Sequence, residues 1–200
     1  MIKRTFYNLP PEKREKIIDV TRKEFRKGSK KKITINSVIK NAGISRGSFY
    51  QYFDDKLDLV ELMADDMMNK MSEYIKEQLI LYNGDIFEIP LVIFDVMFKE
   101  DSSYKDIVVF TDRNNQNSEL ISEYMFYRFR KYNFWNKLSG YINRSKLRLN
   151  SDEDIKYIVF IMEDAFRNAL SNISKNPKLK DRERTNLANK VDLLKRAVSV

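Results

Sequence analysis

The sequence predicts an all-α fold of about nine helices. Apolar residues recur with a 3.6-residue period over long stretches, the pattern of amphipathic helices. Only 5 glycines and 4 prolines occur in 200 residues, and Gly28, Gly43, Gly84 and Pro177 stand at the joints between those stretches. No segment reads as a strand. Ile107-Val108-Val109-Phe110 is the run whose β-branched content suits either state.

Taken in order, Pro10-Pro11 opens a first helix over EKREKIIDVTRKEFRKG, because proline is tolerated in a first helical turn. Gly28 closes it in the left-handed conformation. Ile17, Thr21 and Phe25, with Ile18, are its inner stripe. A basic loop, Ser29–Lys32, follows. Thr34 is expected to cap a short helix, Ile35–Asn41, with Val38 and Ile39 inward. Ala42-Gly43-Ile44 is a tight turn, and Ser45 caps a third short helix from Arg46 to about Tyr52. Asp54 caps a long fourth helix from Asp55 to about Tyr82. Val60, Met63, Met67, Met71, Tyr74 and Leu79 form its stripe, about seven turns long, and the helix is expected to link two parts of the molecule. Asn83-Gly84-Asp85 breaks it. Further helices are expected at about 86–99, 103–113, 117–146 with a kink near Ser139-Gly140, 152–175 and 179–199. Asn176-Pro177 parts the last two.

Composition narrows the chemistry. The chain has no cysteine and no histidine, so disulfides, thiol redox sensing, His or Cys metal sites, a Ser-His-Asp triad and a Cys-His pair are all excluded. No GxGxxG and no P-loop occurs, and the carboxylates are spread over helical faces. The expectation is a protein that is not an enzyme and holds no cofactor. No apolar run approaches the roughly 20 residues that span a bilayer, and MIKRTFYNLPPEKR lacks the apolar core of a signal peptide. A cytoplasmic location without membrane partners is expected.

The charge of +8 is unevenly placed. Residues 1–56 hold 15 Lys/Arg against 6 Asp/Glu, a net +9, and residues 57–200 hold 22 against 23, a net −1. A basic segment beside a neutral remainder is the footprint of a polyanion binder.

Within that segment, two short helices joined by a glycine turn, after a longer one, form a helix-turn-helix. The second short helix enters a major groove only if its N-terminal face is small and polar. Arg46 reaches guanine O6 and N7 in bidentate fashion, or a phosphate. Gly47 and Ser48 let the backbone approach DNA, and Gln51 reaches a base or phosphate. Tyr50 and Tyr52 offer hydroxyls to phosphates. Ile44, Phe49 and Phe53 hold the helix to its neighbours. Lys56 stands beside free N–H groups at the start of the long helix, where a phosphate is favoured.

Thr34-Ile35, Val38-Ile39, Ala42-Gly43-Ile44-Ser45, Gly47-Ser48, Tyr50, Tyr52-Phe53 and Lys56-Leu57-Asp58-Leu59 resemble the DNA-binding signature of the TetR family of bacterial transcriptional regulators. The resemblance is specific over roughly residues 8–60. It implies a three-helix DNA-binding domain at 1–56, with Thr34, Ser45, Arg46, Gly47, Ser48, Tyr50, Gln51, Tyr52 and Lys56 facing double-stranded DNA. It implies a helical ligand-binding and dimerisation domain at 57–200, whose last two helices form a four-helix bundle with those of a second subunit. The resulting expectation is a homodimeric repressor, released from a palindromic operator by a small molecule. A DNA-bound structural or adaptor protein without inducer, and an activator, are the alternatives.

Two sets of residues follow for the second domain. The interface candidates are Met162, Phe166 and Leu170 on one helix and Leu187, Val191 and Leu194 on the next, each at helical spacing. Tyr157, Phe160 and Ile161 widen the first of these apolar faces, and a helix apolar on several sides is buried on several sides. Met67, Phe94, Met97, Phe98, Phe110, Tyr124, Trp135, Tyr157 and Phe160 are core residues first and pocket walls second. Glu163 and Asn168 supply polar groups that orient a mainly apolar ligand. Arg128-Phe-Arg130-Lys131-Tyr132 reads as a solvated face, because its charges diverge at helical spacing.

Overall fold

The computed structural model describes residues 1–26, 34–99 and 138–200, and the chain divides into two compact units. The first takes in Met1–Asn69 and the second begins at Lys70. The basic loop and Gly28, the helices expected at 103–113 and over most of 117–146, Ile107–Phe110 and the segment 128–132 lie outside the described residues.

The first unit holds α1 (Arg4–Tyr7), α2 (Pro11–Arg26), α3 (Ile35–Ala42), α4 (Arg46–Tyr52) and the beginning of α5 (Leu57–Leu81). Helix α1 was not foreseen. It has four residues and no side-chain cap, too little for a local signal, and it is held by Phe6, which is fully buried. Along α2 the expected stripe is buried: Ile17, Ile18, Thr21 and Phe25. The Thr21 hydroxyl is satisfied there by donating to the Ile17 carbonyl at 2.8 Å. Arg22 ties α2 to α5 through Asp66, with Nη2 to Oδ2 at 2.7 Å. Leu59, Val60, Met63 and Met67 of α5 are buried.

The start of α5 needs a correction. The helix begins at Leu57 rather than Asp55, and Asp55 rather than Asp54 accepts from its first N–H groups, Leu57 at 2.6 Å and Asp58 at 3.4 Å. Asp54 is drawn away by Lys3, whose Nζ lies 2.7 Å from Asp54 Oδ1.

In the second unit α5 ends at a turn where Asn83 and Gly84 have φ of 51° and 72°. A Cβ on Gly84 would stand 2.4 Å from the Asn143 backbone nitrogen, which donates to the Gly84 carbonyl. A short 3-10 turn, Ile86–Glu88, capped by Asp85, leads into α6 (Ile89–Phe98). The helix expected to reach residue 146 does not do so: Ser139–Tyr141 and Arg144–Lys146 are separate 3-10 turns, because Asn143 is held against Gly84 in an extended conformation. Then come α7 (Glu153–Lys175) and α8 (Lys180–Val198). They pack on each other and on α6. Arg184 makes a two-pronged pair with Asp95 of α6, both contacts at 2.6 Å, and Lys195 reaches Asp85 at 2.8 Å. Among the described residues the β-structure is one isolated bridge, Leu147 to Ser199, and no helix is long and apolar enough to cross a membrane.

Candidate nucleic-acid interface

Helices α3 and α4 form the candidate interface, and a side-chain hydrogen bond caps the start of each. Thr34 is extended, and its side chain accepts from the Ser37 N–H at 3.1 Å. Gly43 closes α3 at φ 67 and ψ 38, a left-handed conformation that glycine takes without the penalty of a Cβ. Ser45 then caps α4, accepting from the Ser48 N–H at 2.9 Å.

The seven residues of α4 separate into two sets. Phe49 and Tyr52, with Phe53 after them, are buried, and the Phe49 and Phe53 rings lie 5.1 Å apart. Ser45, Arg46, Gly47, Tyr50 and Gln51 are exposed, and Ser48 is half-buried. Arg46 Nη1 donates to Asn36 Oδ1 at 3.1 Å, and the centre of the guanidinium lies 5.8 Å from the centre of the Tyr50 ring, within cation–π reach. The arrangement presents hydrogen-bond donors and one fixed cation to the outside, backed by an aromatic core.

Most of the expected residues are therefore accessible, with two corrections. Tyr52 is buried against Phe6 and Phe53, with the Lys13 ammonium over its ring. It anchors the helix instead of facing outward. Lys56 is half-buried, and the N–H groups expected to be free beside it are taken in part by Asp55. Asn36 was missed. It is an exposed residue of the preceding helix, and its link to Arg46 depends on how α3 crosses α4, for which the chain carries no local signal. Lys3 counts toward the +9 by sequence, yet its ammonium is engaged with Asp54. The hydrogen bond from Lys3 holds the Asp54 carboxyl below its ordinary range.

The second unit alters the two remaining sets. Phe94 and Met97 are buried and Phe98 is half-buried. Phe94 lies 4.8 Å from Phe98 and meets Phe166 edge-on at 6.4 Å. Met67 is buried in the first unit, and Phe110, Tyr124 and Trp135 lie outside the described residues. Tyr157 and Phe160 do not line an interior: they are 62% and 46% exposed on α7, beside Ile161 at 55%. Asn168 is exposed and Glu163 half-buried. The interface set is corrected in the opposite sense. Met162, Leu170, Leu187 and Val191 are buried in their own chain, and Phe166 and Leu194 are half-buried. Helix α7 is apolar on two sides, and spacing alone does not say which side meets α6 and α8. An open cleft of about 420 Å³, bordered by Gly84–Phe87, Asn143, Lys146, Lys195 and their neighbours, touches none of the expected ligand residues.

Comparison with known proteins bears on the same elements. Residues 17–63 match the sequence profile described as bacterial regulatory proteins, tetR family. Over 97 residues the chain is 28% identical to a Bacillus subtilis (strain 168) protein named uncharacterized HTH-type transcriptional regulator YvdT. That match covers 48% of this chain and 50% of the relative, so the chain spans about half the length of the curated protein it matches. Two solved structures share the fold. One, described as a TetR-family transcriptional regulator from Mesorhizobium loti MAFF303099, superposes with a TM-score of 0.60 at 16% identity, over 94% of this chain and 98% of the other. SmeT, the repressor of the Stenotrophomonas maltophilia multidrug efflux pump SmeDEF, superposes with a TM-score of 0.57 at 15% identity, over 93% and 90%. These relatives are described as regulators or repressors, none as an enzyme. The profile match falls on α2 to α5, the elements that build and orient the helix-turn-helix, so this part of the chain is similar to the bacterial regulatory proteins of the tetR family.

Proposed function

We propose that the protein is a homodimeric transcriptional repressor whose α4 enters the major groove of a palindromic operator. The observation that carries this reading is the division of α4 itself. Its outer residues, with the Ser45 cap, offer an arginine bonded to Asn36, two serine hydroxyls, a tyrosine and a glutamine, while Phe49 and Tyr52 fasten it to the core. Arg46 reads guanine O6 and N7. Thr34, Ser45, Ser48, Tyr50, Gln51 and Lys56 position the helix on phosphates and neighbouring bases, and Gly47 leaves room for close approach.

A single seven-residue helix is too small for tight specific binding, so two heads are needed. The second copy covers Tyr157, Phe160 and Ile161 of α7 and Leu193 of α8, which stand 46–62% exposed in one chain. Large apolar residues left uncovered on adjacent helices are the mark of an interface. Repression is favoured over activation because occupying a promoter requires only DNA binding. The inducer is a small, mainly apolar molecule held near Phe94, Met97 and Phe98 and oriented by Glu163. It acts only by binding better to a conformation in which the two heads are wrongly spaced.

The test is selection by the purified protein from a randomised duplex library. Enrichment of an inverted repeat, with half-sites separated by about one helical turn or a multiple of it, supports the reading. Enrichment of no repeat at low salt refutes it. A thermal-shift screen then tests the inducer: apolar compounds that stabilise the protein should release the enriched duplex.

A further inference from the structure

The C-terminal end of α4 is closed by the first residues of the chain. A helix leaves its last carbonyls without intrahelical donors, and in α4 the Phe53 N–H satisfies only Phe49, at 2.9 Å. The next three carbonyls are met from residues 3 to 5. Tyr50 accepts from Lys3 Nζ at 2.7 Å, Gln51 accepts from the Thr5 hydroxyl, and Tyr52 accepts from the Lys3 backbone N–H at 2.9 Å. The segment is itself anchored. Phe6 is fully buried with its ring 5.1 Å from Phe53 and 6.4 Å from Tyr52. Lys3 also pairs with Asp54, just beyond α4, and Arg14 of α2 donates to the Tyr7 carbonyl at 3.1 Å. Helix α1 packs directly on α4.

We infer that Lys3, Thr5 and Phe6 are positioning residues for α4: they cap its C-terminal turn and set the angle at which it is offered, without touching DNA themselves. This rests on the reading of α4 as the recognition helix. A helix of two turns has little cooperativity of its own, so a frayed last turn would move Tyr50 and Gln51, the exposed residues of α4 farthest from the Ser45 cap. Lys3 then belongs to a different class from Lys56, although composition counts them alike. Its charge lies against Asp54 and its hydrogens on the α4 carbonyl end, where a cation is favoured.

The experiment uses the full chain and the double variant Lys3→Met/Thr5→Val, with Lys3→Arg/Thr5→Ser as the conservative control. Hydrogen–deuterium exchange is followed across residues 46–53 without DNA. With two capping bonds lost, exchange there should rise by roughly tenfold, while α5 and α7 stay unchanged, and the conservative control should match the wild type. On the duplex enriched by the wild type, affinity should fall by a similar factor with the salt slope unchanged, because no phosphate contact is lost. Unchanged exchange at 46–53 in the double variant overturns the inference. So does a salt slope reduced by about 1, which makes Lys3 a phosphate contact. If the wild type selects no DNA, the operator reading fails alone, and the exchange result still decides whether residues 3 to 6 cap α4.

Discussion

In the first unit, α4 has seven residues, both ends capped, and its apolar side chains closed inside one chain. In the second, α7 has 23 residues, buries Met162 and Leu170, and leaves Tyr157, Phe160 and Ile161 in solvent. The short helix depends on its neighbours for shape and offers polar groups outward. The long helix is stable enough to offer an apolar face. Their difference lies in what each turns outward: α4 presents donors and a cation, which under the proposed function meet a polyanion, and α7 presents hydrocarbon, which under the same proposal meets a second subunit. The inner residues of both obey the same packing rules.

The largest expected effect breaks the division within α7. Met162→Glu buries a carboxylate without a partner and should cost about 4 kcal/mol or more, seen as loss of helical circular dichroism or a collapsed melting temperature. Phe160→Glu combined with Ile161→Lys should leave the helical signal intact and yield monomers in sedimentation. A folded monomer from Met162→Glu, or a dimer from the double change, would reverse the assignment of the two faces.

Next come the two glycines that are left-handed among the described residues, one in each unit. Gly84→Ala combines backbone strain with a Cβ against Asn143 and should destabilise by about 3 kcal/mol or more. At Gly43 an added Cβ meets nothing closer, among the described residues, than Lys16 Nζ at 3.6 Å, so Gly43→Ala should cost only the conformational part, about 1–2 kcal/mol. Thermal melts of the two variants check the order, and equal losses would remove the steric argument at Gly84.

A smaller effect separates reading from holding on the DNA face. Arg46→Ala should lose about 1–3 kcal/mol of discrimination at one base pair per half-site. Lys56→Ala should weaken all duplexes and lower the salt slope by about 1. Competition binding against single-base variants of the enriched site distinguishes them. Two uniform losses with unchanged base preference would demote Arg46 to a phosphate contact.

The smallest effect is acidic. Asp54, hydrogen-bonded by Lys3, and Asp154, which accepts from the Asn150 and Ser151 N–H groups, both titrate below the ordinary value of 3.8. A carboxyl depressed in the folded state adds stability that is complete above its ordinary value and is lost as pH falls through the depressed one. These groups should leave melting unchanged between neutrality and about pH 5, and contribute a loss only below about pH 4. Asp54→Asn and Asp154→Asn should each flatten that acid limb slightly. A slope appearing near pH 6 would point to other groups.

Much of the helix-turn-helix is local chemistry and could be read from the chain. Thr34, Gly43 and Ser45 act within three or four residues of themselves, so their roles as caps followed from residue type and spacing, as did the buried stripe of α2. Asp54 shows where this stops. Its carboxylate had two uses within reach, the start of α5 or a lysine fifty-one positions earlier, and only the folded chain brings Lys3 close enough to win. Tyr52 failed for a similar reason, because its burial depends on Phe6, in a helix too short to announce itself. On α7 the period located two apolar faces and could not rank them.

By itself the sequence determined α2, α3, α4, α7 and α8, the caps at Thr34, Gly43 and Ser45, the basic N-terminal quarter and the residues of α4 that are small, polar or cationic, because each is decided by neighbours along the chain. Tertiary structure alone decided that Asn36 holds Arg46, that residues 3 to 6 close α4, that Met162 faces inward while Phe160 faces out, and that Gly84 has no room for a side chain. Those outcomes depend on which distant segments meet, and a periodic pattern carries the spacing of residues on a helix but not the identity of the surface on the other side.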